Sequence, residues 1–292
     1  MEQIRSYRRR GTPDLPMAVY TNDATIANAH PKPEYHPETE IVRVLSGQVA
    51  LQLSGVTQVF CAGDIFLIPS NAVHCYRHFS ADAEICSLIF FPAAIAMQPD
   101  HYFQKAFVQP LLEDRLQMPP LLQPGHPAYE AICTHFDSLQ ACRIFSQDYQ
   151  VRRFFGLMGI CTTLLPYCTV ISGDHPAASP GNEAVMLCMR YIHNQYAKKI
   201  TLEILSEYCH LHPNYLCALF KSYTGQTIFE YLAHHRIETA KELLKNEELS
   251  MGKVAELVGF RSESLFYQKF KEVTDLTPKA YARQYRKKEQ DK

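Results

Sequence analysis

Short apolar runs alternate with turn-forming residues over the first third of the chain. Glycines recur about every eight positions, at Gly47, Gly55 and Gly63. The runs beside them are rich in β-branched and aromatic residues and comprise Ile41–Leu45, Val49–Leu53, Val56–Phe60 and Ile65–Ile68. Evenly spaced short strands of this kind predict a β-sandwich or β-barrel from about Glu34 to Pro92.

The pattern becomes helical between about His101 and Cys168. Pro127 suits the first turn of a helix, where a backbone N–H is not needed. One face of this helix collects Ala131, Ile132, His135, Phe136 and Leu139. The segment from Val151 to Leu165 is apolar on nearly every side. Such a helix must be buried on several faces, either in a core or against a second subunit.

Small and turn-forming residues crowd the segment 172–182, SGDHPAASPGN, which is therefore the predicted linker. Every segment after it has the apolar spacing of a helix. One helical stripe contains Val185, Cys188, Met189, Ile192 and Tyr196, and another contains Phe229, Leu232, Ala233, Arg236, Ile237, Ala240, Leu243 and Leu244. The change of pattern predicts an α+β chain, β-rich first and all-helical at the end.

The last hundred residues contain an internal repeat, which is a stronger signal than any single motif. Phe220-Lys221, Thr224, Thr227 and Tyr231 recur fifty positions later as Phe270-Lys271, Thr274, Thr277 and Tyr281. In the preceding helix, Leu205-Ser206 and His210-Leu211 correspond to Val254-Ala255 and Gly259-Phe260, forty-nine positions later. The difference of one residue falls in a turn, where insertions are tolerated.

Each repeat has the layout of a helix-turn-helix. A small residue (Ser206 or Ala255) permits close helix packing, a turn residue follows (His210 or Gly259), and an apolar residue then fills the core. The second helices are predicted over Pro213 to Tyr223 and Glu263 to Val273. Their buried faces comprise Leu216, Leu219 and Phe220 in the first repeat and Phe266 and Phe270 in the second. The opposite face of each helix is of a size to enter the major groove of DNA.

These residues resemble the DNA-binding domain of the AraC/XylS family of bacterial transcription regulators. The resemblance extends from Ile200 to Tyr281 and includes Val258-Gly259-Phe260, Phe270-Lys271 and Thr277-Pro278. It implies two helix-turn-helix units, joined by one long helix over Ile228 to Asn246, that enter adjacent major grooves about one helical turn of DNA apart. Asp275 departs from the family, which usually has glycine there, and Ala282 stands where arginine often follows the tyrosine.

The resemblance also implies which side chains face DNA. The base-facing positions are Asn214, Cys217 and Ala218 in the first unit and Glu263, Ser264, Tyr267 and Gln268 in the second. Asn214 and Gln268 suit adenine, and Glu263 suits a cytosine amine. Cys217 and Ala218 offer no strong donor, which departs from the longer polar residues usual in the family. Lys221 and Lys271 are expected to contact phosphates or to support the helices.

The β-rich segment has a second resemblance, to the two sequence motifs of the cupin barrel. Glu34, His36, Glu40 and Gly47 match the first motif, with Glu34 in place of the usual histidine. Gly63, Pro69 and His74 match the second, with Asn71 in place of a glycine. Positions 34, 36 and 40 share strand parity, so their side chains can point to one side, towards His74 on a facing strand.

Three interpretations of this cluster stay open. His36, Glu40 and His74, flanked by Tyr35 and Tyr76, can form a small-molecule pocket, can bind a divalent metal, or can be ordinary barrel residues. The sensor cupins of AraC-type regulators have usually lost their metal. We therefore expect a ligand pocket with no metal and no cofactor, and a carbohydrate that stacks on the tyrosines.

Charge and cysteine content support this assignment only modestly. Residues 1–181 contain 12 Lys and Arg against 16 Asp and Glu, a net of −4, whereas residues 182–292 contain 17 against 14, a net of +3. The basic half is thus the candidate for phosphate contact.

The ten cysteines form no Cys-x-x-Cys pair, which fits reduced thiols in a cytosol. The arginine-rich start, with Arg5, Arg8, Arg9 and Arg10, argues against a secretory signal peptide and is expected to be a flexible arm.

The sequence therefore predicts a cytoplasmic, non-enzymatic transcription activator with no membrane segment. The expected parts are a cupin-like sensor (1–100), a helical dimerisation segment (101–171), a linker (172–182) and a DNA-binding domain (183–292). The expected partners are double-stranded promoter DNA, a small metabolite, RNA polymerase and a second copy of the chain. Two alternatives remain: a metal-dependent cupin enzyme fused to a DNA-binding domain, and a constitutive regulator whose barrel only dimerises.

Overall fold

The structure, a computed structural model, describes residues 15–23, 32–142, 148–171, 180–244 and 249–290. The chain divides into two compact units, Met1–Asn182 and Glu183–Lys292. The predicted arginine arm and residues 172–179 of the predicted linker lie outside the described residues.

The first unit is built on two antiparallel sheets. Its strands are β1 (Met17–Asp23), β2 (Thr39–Ser46), β3 (Gln48–Leu53), β4 (Val56–Cys61), β5 (Ile65–Ile68), β6 (His74–Phe79), β7 (Glu84–Phe90), β8 (Leu116–Gln117), β9 (Leu121–Leu122) and β10 (Thr169–Val170). One sheet has the order β1-β7-β2-β5-β9 and the other the order β4-β3-β6, while β10 pairs with β8. The four predicted strand runs and the barrel are confirmed.

Strand β2 shows why this sequence forms a two-sided layer. Val42 and Val44 face the second sheet and pack with Val49 and Leu51 of β3 in the core of the barrel. Ile41 points the other way and packs with the helices that follow the barrel. Because strand side chains alternate between faces, Glu40 shares its face with Val42 and Val44 and points into the barrel.

A helical layer covers the outer face of the larger sheet. Its elements are a 3-10 turn (Pro92–Ile95), a π-helical turn (Gln104–Val108), α1 (Gln109–Leu112), α2 (Tyr129–Ala141), α3 (Tyr149–Leu164) and a further 3-10 turn (Leu165–Tyr167). Helices α2 and α3 pack closely where α3 has glycines: a Cβ on Gly156 would lie 2.6 Å from Leu139, and one on Gly159 would lie 2.3 Å from His135. The prediction of helices between about His101 and Cys168 is confirmed for most of this segment, but it missed the short strands β8 and β9, of which β9 pairs with β5.

Part of the predicted linker has a structural role in the first unit. Residues 180–182 begin a helix, and the Asn182 side chain is buried. Its Oδ1 accepts a hydrogen bond from the backbone N–H of Val73 at 2.9 Å, and its Nδ2 donates one to the carbonyl of Asn71 at 3.0 Å. The composition of this segment predicted a linker that includes Asn182, because hydrogen bonds to residues as distant as Asn71 and Val73 cannot be recognised from sequence.

The described part of the second unit is entirely helical. Its elements are α4 (Pro180–Gln195, which begins in the first unit), α5 (Leu202–Cys209), α6 (Pro213–Thr224), α7 (Ile228–Leu243), α8 (Met251–Leu257), α9 (Glu263–Thr274) and α10 (Pro278–Gln290). Side-chain caps start several of them. Thr201, Ser250 and Ser262 each accept a hydrogen bond from a backbone N–H three residues on, and Thr227 forms a capping box with Glu230.

The internal repeat is visible in atomic contacts. The rings of Phe220 and Tyr231 meet edge to face with centroids 5.6 Å apart, and those of Phe270 and Tyr281 meet in the same way at 5.6 Å. The hydroxyl of Thr224 donates to the Phe220 carbonyl at 2.7 Å, and its counterpart in Thr274 donates to the Phe270 carbonyl at 2.8 Å. Two helix-turn-helix units, α5–α6 and α8–α9, therefore share one design.

The turns of the two units require a left-handed backbone. Both His210 (φ 54°) and Gly259 (φ 86°) adopt it, as do Gly225 (φ 71°) and Asp275 (φ 59°) after the second helices. Asp275 thus takes the conformation of the glycine usual in the family, which a short polar side chain tolerates. The joining helix α7 was predicted to end at Asn246. It ends at Leu243, and 245–248 lie outside the described residues.

Among the residues described, helices long and apolar enough to cross a membrane are not found.

Candidate functional site

Helix α6 presents the first set of predicted DNA contacts on one side. Leu216 and Phe220 are buried in the core of the unit, as predicted, while Leu219 is only half-buried. The opposite side places Asn214, Ala218 and Lys221 in solvent and leaves Cys217 half-buried. A single helix face thus offers one amide, one methyl group and one ammonium group to a ligand.

Helix α9 presents the second set, and it is chemically richer. Phe266 and Phe270 fill the core, whereas Glu263, Ser264, Gln268 and Lys271 are exposed and Tyr267 is half-buried. Burial, followed by the charge of Glu263, raises the pKa of Tyr267, so its hydroxyl stays protonated and able to donate a hydrogen bond. The Gln268 amide donates to Oε1 of Glu272 at 2.8 Å, which leaves its second N–H and its carbonyl oxygen for a base.

Two further exposed residues were not among the predicted contacts: one lies within α6 and the other just before α9. Tyr215 is 56% exposed, next to Asn214. Arg261 is exposed in the turn that leads into α9. The rotation of each helix about its axis determines which side chains are exposed, and the turn residues set that rotation. The apolar pattern alone therefore did not identify these two residues as contacts.

In the first unit, the structure brings His36, Glu40 and His74 together at one end of the barrel. Nε2 of His36 lies 3.3 Å from Oε2 of Glu40, and Nε2 of His74 lies 4.0 Å from the same oxygen. All three residues are buried, with 4%, 3% and 1% of their surfaces exposed. The Tyr76 hydroxyl, 3.5 Å from Oε1 of Glu40, closes one side of the cluster. Tyr35, the other predicted flanking residue, is half-buried.

Backbone pairing aligns this cluster. Glu34 and His74 exchange two backbone hydrogen bonds, both of 2.9 Å, in an isolated β-bridge. The Asn71 N–H donates to the His36 carbonyl at 2.7 Å, and Nδ1 of His74 lies 2.9 Å from the Ala72 carbonyl oxygen. Nδ1 of His74 can therefore donate to this carbonyl, which leaves Nε2 facing the carboxylates of Glu34 and Glu40, where it donates when the imidazole is protonated and accepts when it is neutral.

The cluster favours opposite charges on neighbouring groups. Burial alone would raise the pKa of Glu40, but the hydrogen bond with His36 and the charges of His74 and His36 outweigh burial and lower it. Burial likewise would lower the pKa of His74, but Glu34 and Glu40 outweigh it and raise that pKa. For Tyr76, burial and the charge of Glu40 both raise the pKa well above its usual value, so the hydroxyl keeps its proton.

The donor set also fits a divalent cation. Ligand atoms of His36, Glu40 and His74 all lie within 4.8 Å of one another. Two ligands that each lie ~2.1 Å from one ion can be at most ~4.2 Å apart, and the distances from Glu40 to the two imidazoles, 3.3 and 4.0 Å, fall within that limit. Nε2 of His74 is buried and has no hydrogen-bond partner within the described part of the chain. A buried acceptor of this kind is what a metal ion or a ligand hydroxyl would satisfy.

Glu34 belongs to this site although it was not among the predicted ligand residues. Its Oε1 lies 3.6 Å from Nε2 of His74, and its side chain is 45% exposed. The motif comparison had placed Glu34 at the position of a missing histidine. Strand parity had already placed Glu34 on the same side as His36 and Glu40, where it could act as an oxygen ligand of a metal.

Comparison with protein families gives two matches, one in each unit. Residues 205–284 match the helix-turn-helix domain family, and residues 26–90 match the cupin domain family. These ranges contain the recognition helices and the buried polar cluster, respectively.

Related proteins carry regulator names. The chain is 33% identical over 150 residues to the HTH-type transcriptional regulator YijO of Escherichia coli, an alignment covering 51% of each chain. It is 28% identical over 277 residues to the HTH-type transcriptional regulator AlkR of Acinetobacter baylyi, covering 84% of this chain and 87% of AlkR. A solved structure, the C-terminal domain of the response regulator yesN from Fusobacterium nucleatum, is 38% identical over 34% of this chain and 98% of its own, with a TM-score of 0.33.

Proposed function

This chain belongs to the AraC/XylS type of helix-turn-helix transcription regulators and carries an N-terminal cupin domain, and from that premise we propose that it activates transcription in response to a small carbohydrate bound in the barrel. DNA binding and transcription regulation are properties of the type. The carbohydrate, the activation and the residues assigned to each contact are the proposed part.

One observation carries the proposal: two recognition helices of the same design expose polar side chains on a shared scaffold. Helix α6 exposes Asn214 and Ala218, and α9 exposes Glu263 and Gln268. In the proposed complex these side chains meet base edges in successive major grooves, while Lys221 and the other predicted phosphate contact, Lys271, bind the backbone. Ser264 and Tyr267 of α9 extend the same face, and Cys217 contributes only apolar contact.

The Gln268→Ala substitution tests base recognition. The variant should lose roughly 1–3 kcal/mol of binding free energy on the duplex that the wild type selects from a random pool, and little on unselected DNA. The measurement is titration of both duplexes with the full chain at one salt concentration. Lys271→Ala is the matched control on the same helix, because loss of a phosphate contact should weaken binding to both duplexes alike. A uniform loss for Gln268→Ala would refute its assignment as a base contact.

The effector is proposed to bind at the end of the barrel where His36, Glu40 and His74 converge. A sugar hydroxyl can donate to the Glu40 carboxylate while it accepts from an imidazole, which satisfies buried groups that otherwise cost free energy. Tyr35 and Tyr76 offer aromatic faces to the sugar ring. The relatives of this chain are named as regulators, and we accordingly infer a binding role for the cluster, without catalysis.

A second candidate role for the cluster is to bind a divalent cation, favoured by the unpartnered Nε2 of His74. His36, Glu40 and His74 would hold the ion, and Glu34 stands beside them. A set of imidazole and carboxylate ligands suits zinc, manganese or iron. Such an ion would supply a fixed positive charge that anchors the oxygen atoms of an effector.

Thermal unfolding of the full chain distinguishes these roles. A bound ligand stabilises the first unit in proportion to RT ln(1 + [L]/Kd), so one sugar of a monosaccharide panel should raise the melting temperature as its concentration increases. Glu40→Gln should abolish this increase, whereas Glu84→Gln, an exposed carboxylate of β7, should preserve it. A response to zinc or manganese after EDTA dialysis, in place of sugars, would favour the metal site. No response to either class would favour a barrel that only dimerises.

The dimer in this proposal forms through α3. Val151 and Phe155 are 56% and 66% exposed, and they line a groove of about 360 Å³ between α2 and α3. We place the subunit contact here because a second copy would cover both side chains, and because regulators of paired DNA sites are usually two-fold dimers. The DNA-bound dimer would contact RNA polymerase at a promoter in the cytoplasm.

A further inference from the structure

The two helix-turn-helix units of the second domain touch through backbone, at a point away from both recognition helices. Gly259, in the turn of the second unit, has a φ of +86°, and a Cβ there would lie 2.7 Å from the carbonyl oxygen of Ala197. Ala197 belongs to the connection between α4 and α5, which leads into the first unit. The contact therefore joins the turn of the second helix-turn-helix unit to the connection that precedes the first, in addition to the covalent link through α7.

Arg236 of α7 holds the same connection from the other side. Its Nε donates to the Tyr196 carbonyl at 2.8 Å, and its Nη2 donates to the Lys198 carbonyl at 3.0 Å. The guanidinium also lies over the ring of Phe260, 5.6 Å from its centroid. One planar side chain thus bridges carbonyls of the α4–α5 connection and the ring of Phe260 in the second helix-turn-helix unit, a geometry that a lysine ammonium does not reproduce.

Rigid contacts lead from Arg236 towards each recognition helix. On one side, the Phe260 ring packs against Phe266 of α9 with centroids 5.5 Å apart. On the other, His193 at the end of α4 lies 2.6 Å from the Tyr231 hydroxyl, and the ring of Tyr231 packs against Phe220 of α6. One set of contacts thus runs from α9 to Phe260, which Arg236 contacts directly, and the other runs from α6 to the end of α4, just before the Tyr196 carbonyl that Arg236 binds.

Burial weakens the case for Arg236 as a phosphate ligand. Burial, reinforced by the nearby charge of Arg261, lowers its pKa, which marks a guanidinium partly withdrawn from solvent. Two of its donor groups are already committed to backbone carbonyls. A side chain engaged in this way acts on the arrangement of the helices and not on DNA itself.

We propose that Arg236 is a positioning residue that sets the relative placement of the two recognition helices, and so the spacing of the two DNA segments read by one chain. This role rests on the proposed function, because spacing matters only if both helices bind one duplex. Without the bridge, each recognition helix keeps its own DNA-binding surface. Binding of one helix to DNA, however, no longer places the other helix at its own DNA segment.

The test compares duplexes that contain both recognition segments, one segment, or both with one to three base pairs inserted between them. For the full chain with Arg236→Gln, affinity for the two-segment duplex should fall roughly 10- to 100-fold, because the effective concentration of the second helix falls. Affinity for one-segment duplexes should stay within about 3-fold, and the penalty for inserted base pairs should shrink. Arg236→Lys should resemble Arg236→Gln, because it keeps the charge and loses the planar pair of donors.

The matched control is Arg190→Gln, which removes the same charge from an exposed position on α4. It should leave the spacing preference intact. Equal losses for Arg236→Gln on one-segment and two-segment duplexes, or an unchanged spacing preference, would overturn the positioning role.

Hydrogen exchange without DNA separates this inference from the proposed function. Arg236→Gln should speed exchange of backbone amides in 196–198 and around Gly259 while α6 and α9 stay protected. Unchanged exchange at both turns would overturn the positioning role. If wild-type chain binds no duplex, the proposed function fails, and faster exchange confined to the two turns would still support the bridge.

Discussion

Replacing Gly259 by alanine should destabilise the second unit by about 2–5 kcal/mol and abolish tight DNA binding. A left-handed backbone costs an L-residue ~1–2 kcal/mol, and forcing extra volume into a packed site costs ~1–3 kcal/mol more. The two costs add here because the added Cβ would meet backbone atoms, at 2.7 Å from the Ala197 carbonyl oxygen, and not a side chain that can swing away. Relief requires the two turns to separate, which also loosens the Arg236 bridge.

Gly125→Ala is the matched control for this prediction. Gly125 has a similar φ of +96°, but among the described residues, its two chain neighbours aside, no atom lies within 4 Å of the position its Cβ would take. Its substitution should therefore cost only the backbone component, ~1–2 kcal/mol. Hydrogen exchange of α9 amides reports the free energy of opening in the second unit, and that of β7 amides reports the first unit. Equal losses for both glycines would contradict the close approach at Gly259.

Replacing Phe155 by aspartate should convert a dimer into monomers and lower affinity for a paired DNA site about 100-fold. A carboxylate buried in an apolar interface costs several kcal/mol unless it is paired, and two linked DNA-binding domains gain ~10²–10⁴ in avidity over one. Helix α3 should tolerate the change within one chain, because the Phe155 side chain is 66% exposed.

Sedimentation and DNA titration measure this effect. Val56→Asp is the matched control, since Val56 is an apolar residue of the same unit that is 71% exposed on β4, outside the groove. It should leave both the assembly and the DNA affinity unchanged. A Phe155→Asp variant that stays dimeric, or a wild type that is monomeric at micromolar concentration, would show that α3 is not the subunit contact.

Elements built on local pattern were predictable from the sequence. Alternating residues of β2 divide between two cores, and the spacing of Leu216 and Phe220 places both on the inner side of α6. The repeat at fifty residues predicted matching helix-turn-helix units, and the structure repeats even the ring pair of Phe220 and Tyr231. These features depend on periods of two and 3.6 residues and on turn residues, all of which can be recognised in the amino-acid sequence alone.

Features that depend on tertiary pairing were not predictable. Arg236 was counted only as a member of a helical stripe, because its acceptors are carbonyls about forty residues earlier in the chain. Asn182, assigned to a linker, is buried by hydrogen bonds to the Asn71–Val73 turn. In each case the decisive partner is distant in sequence and carries no periodic signal.

Selection of duplexes from a random pool by the full chain tests the central claim most directly. Two exposed recognition helices on one scaffold should enrich duplexes with two conserved segments about one helical turn apart. Affinity for those duplexes should fall linearly with salt on logarithmic axes, the slope reporting the number of phosphates neutralised. Enrichment of no sequence, together with no salt-sensitive affinity for any duplex, would contradict the account.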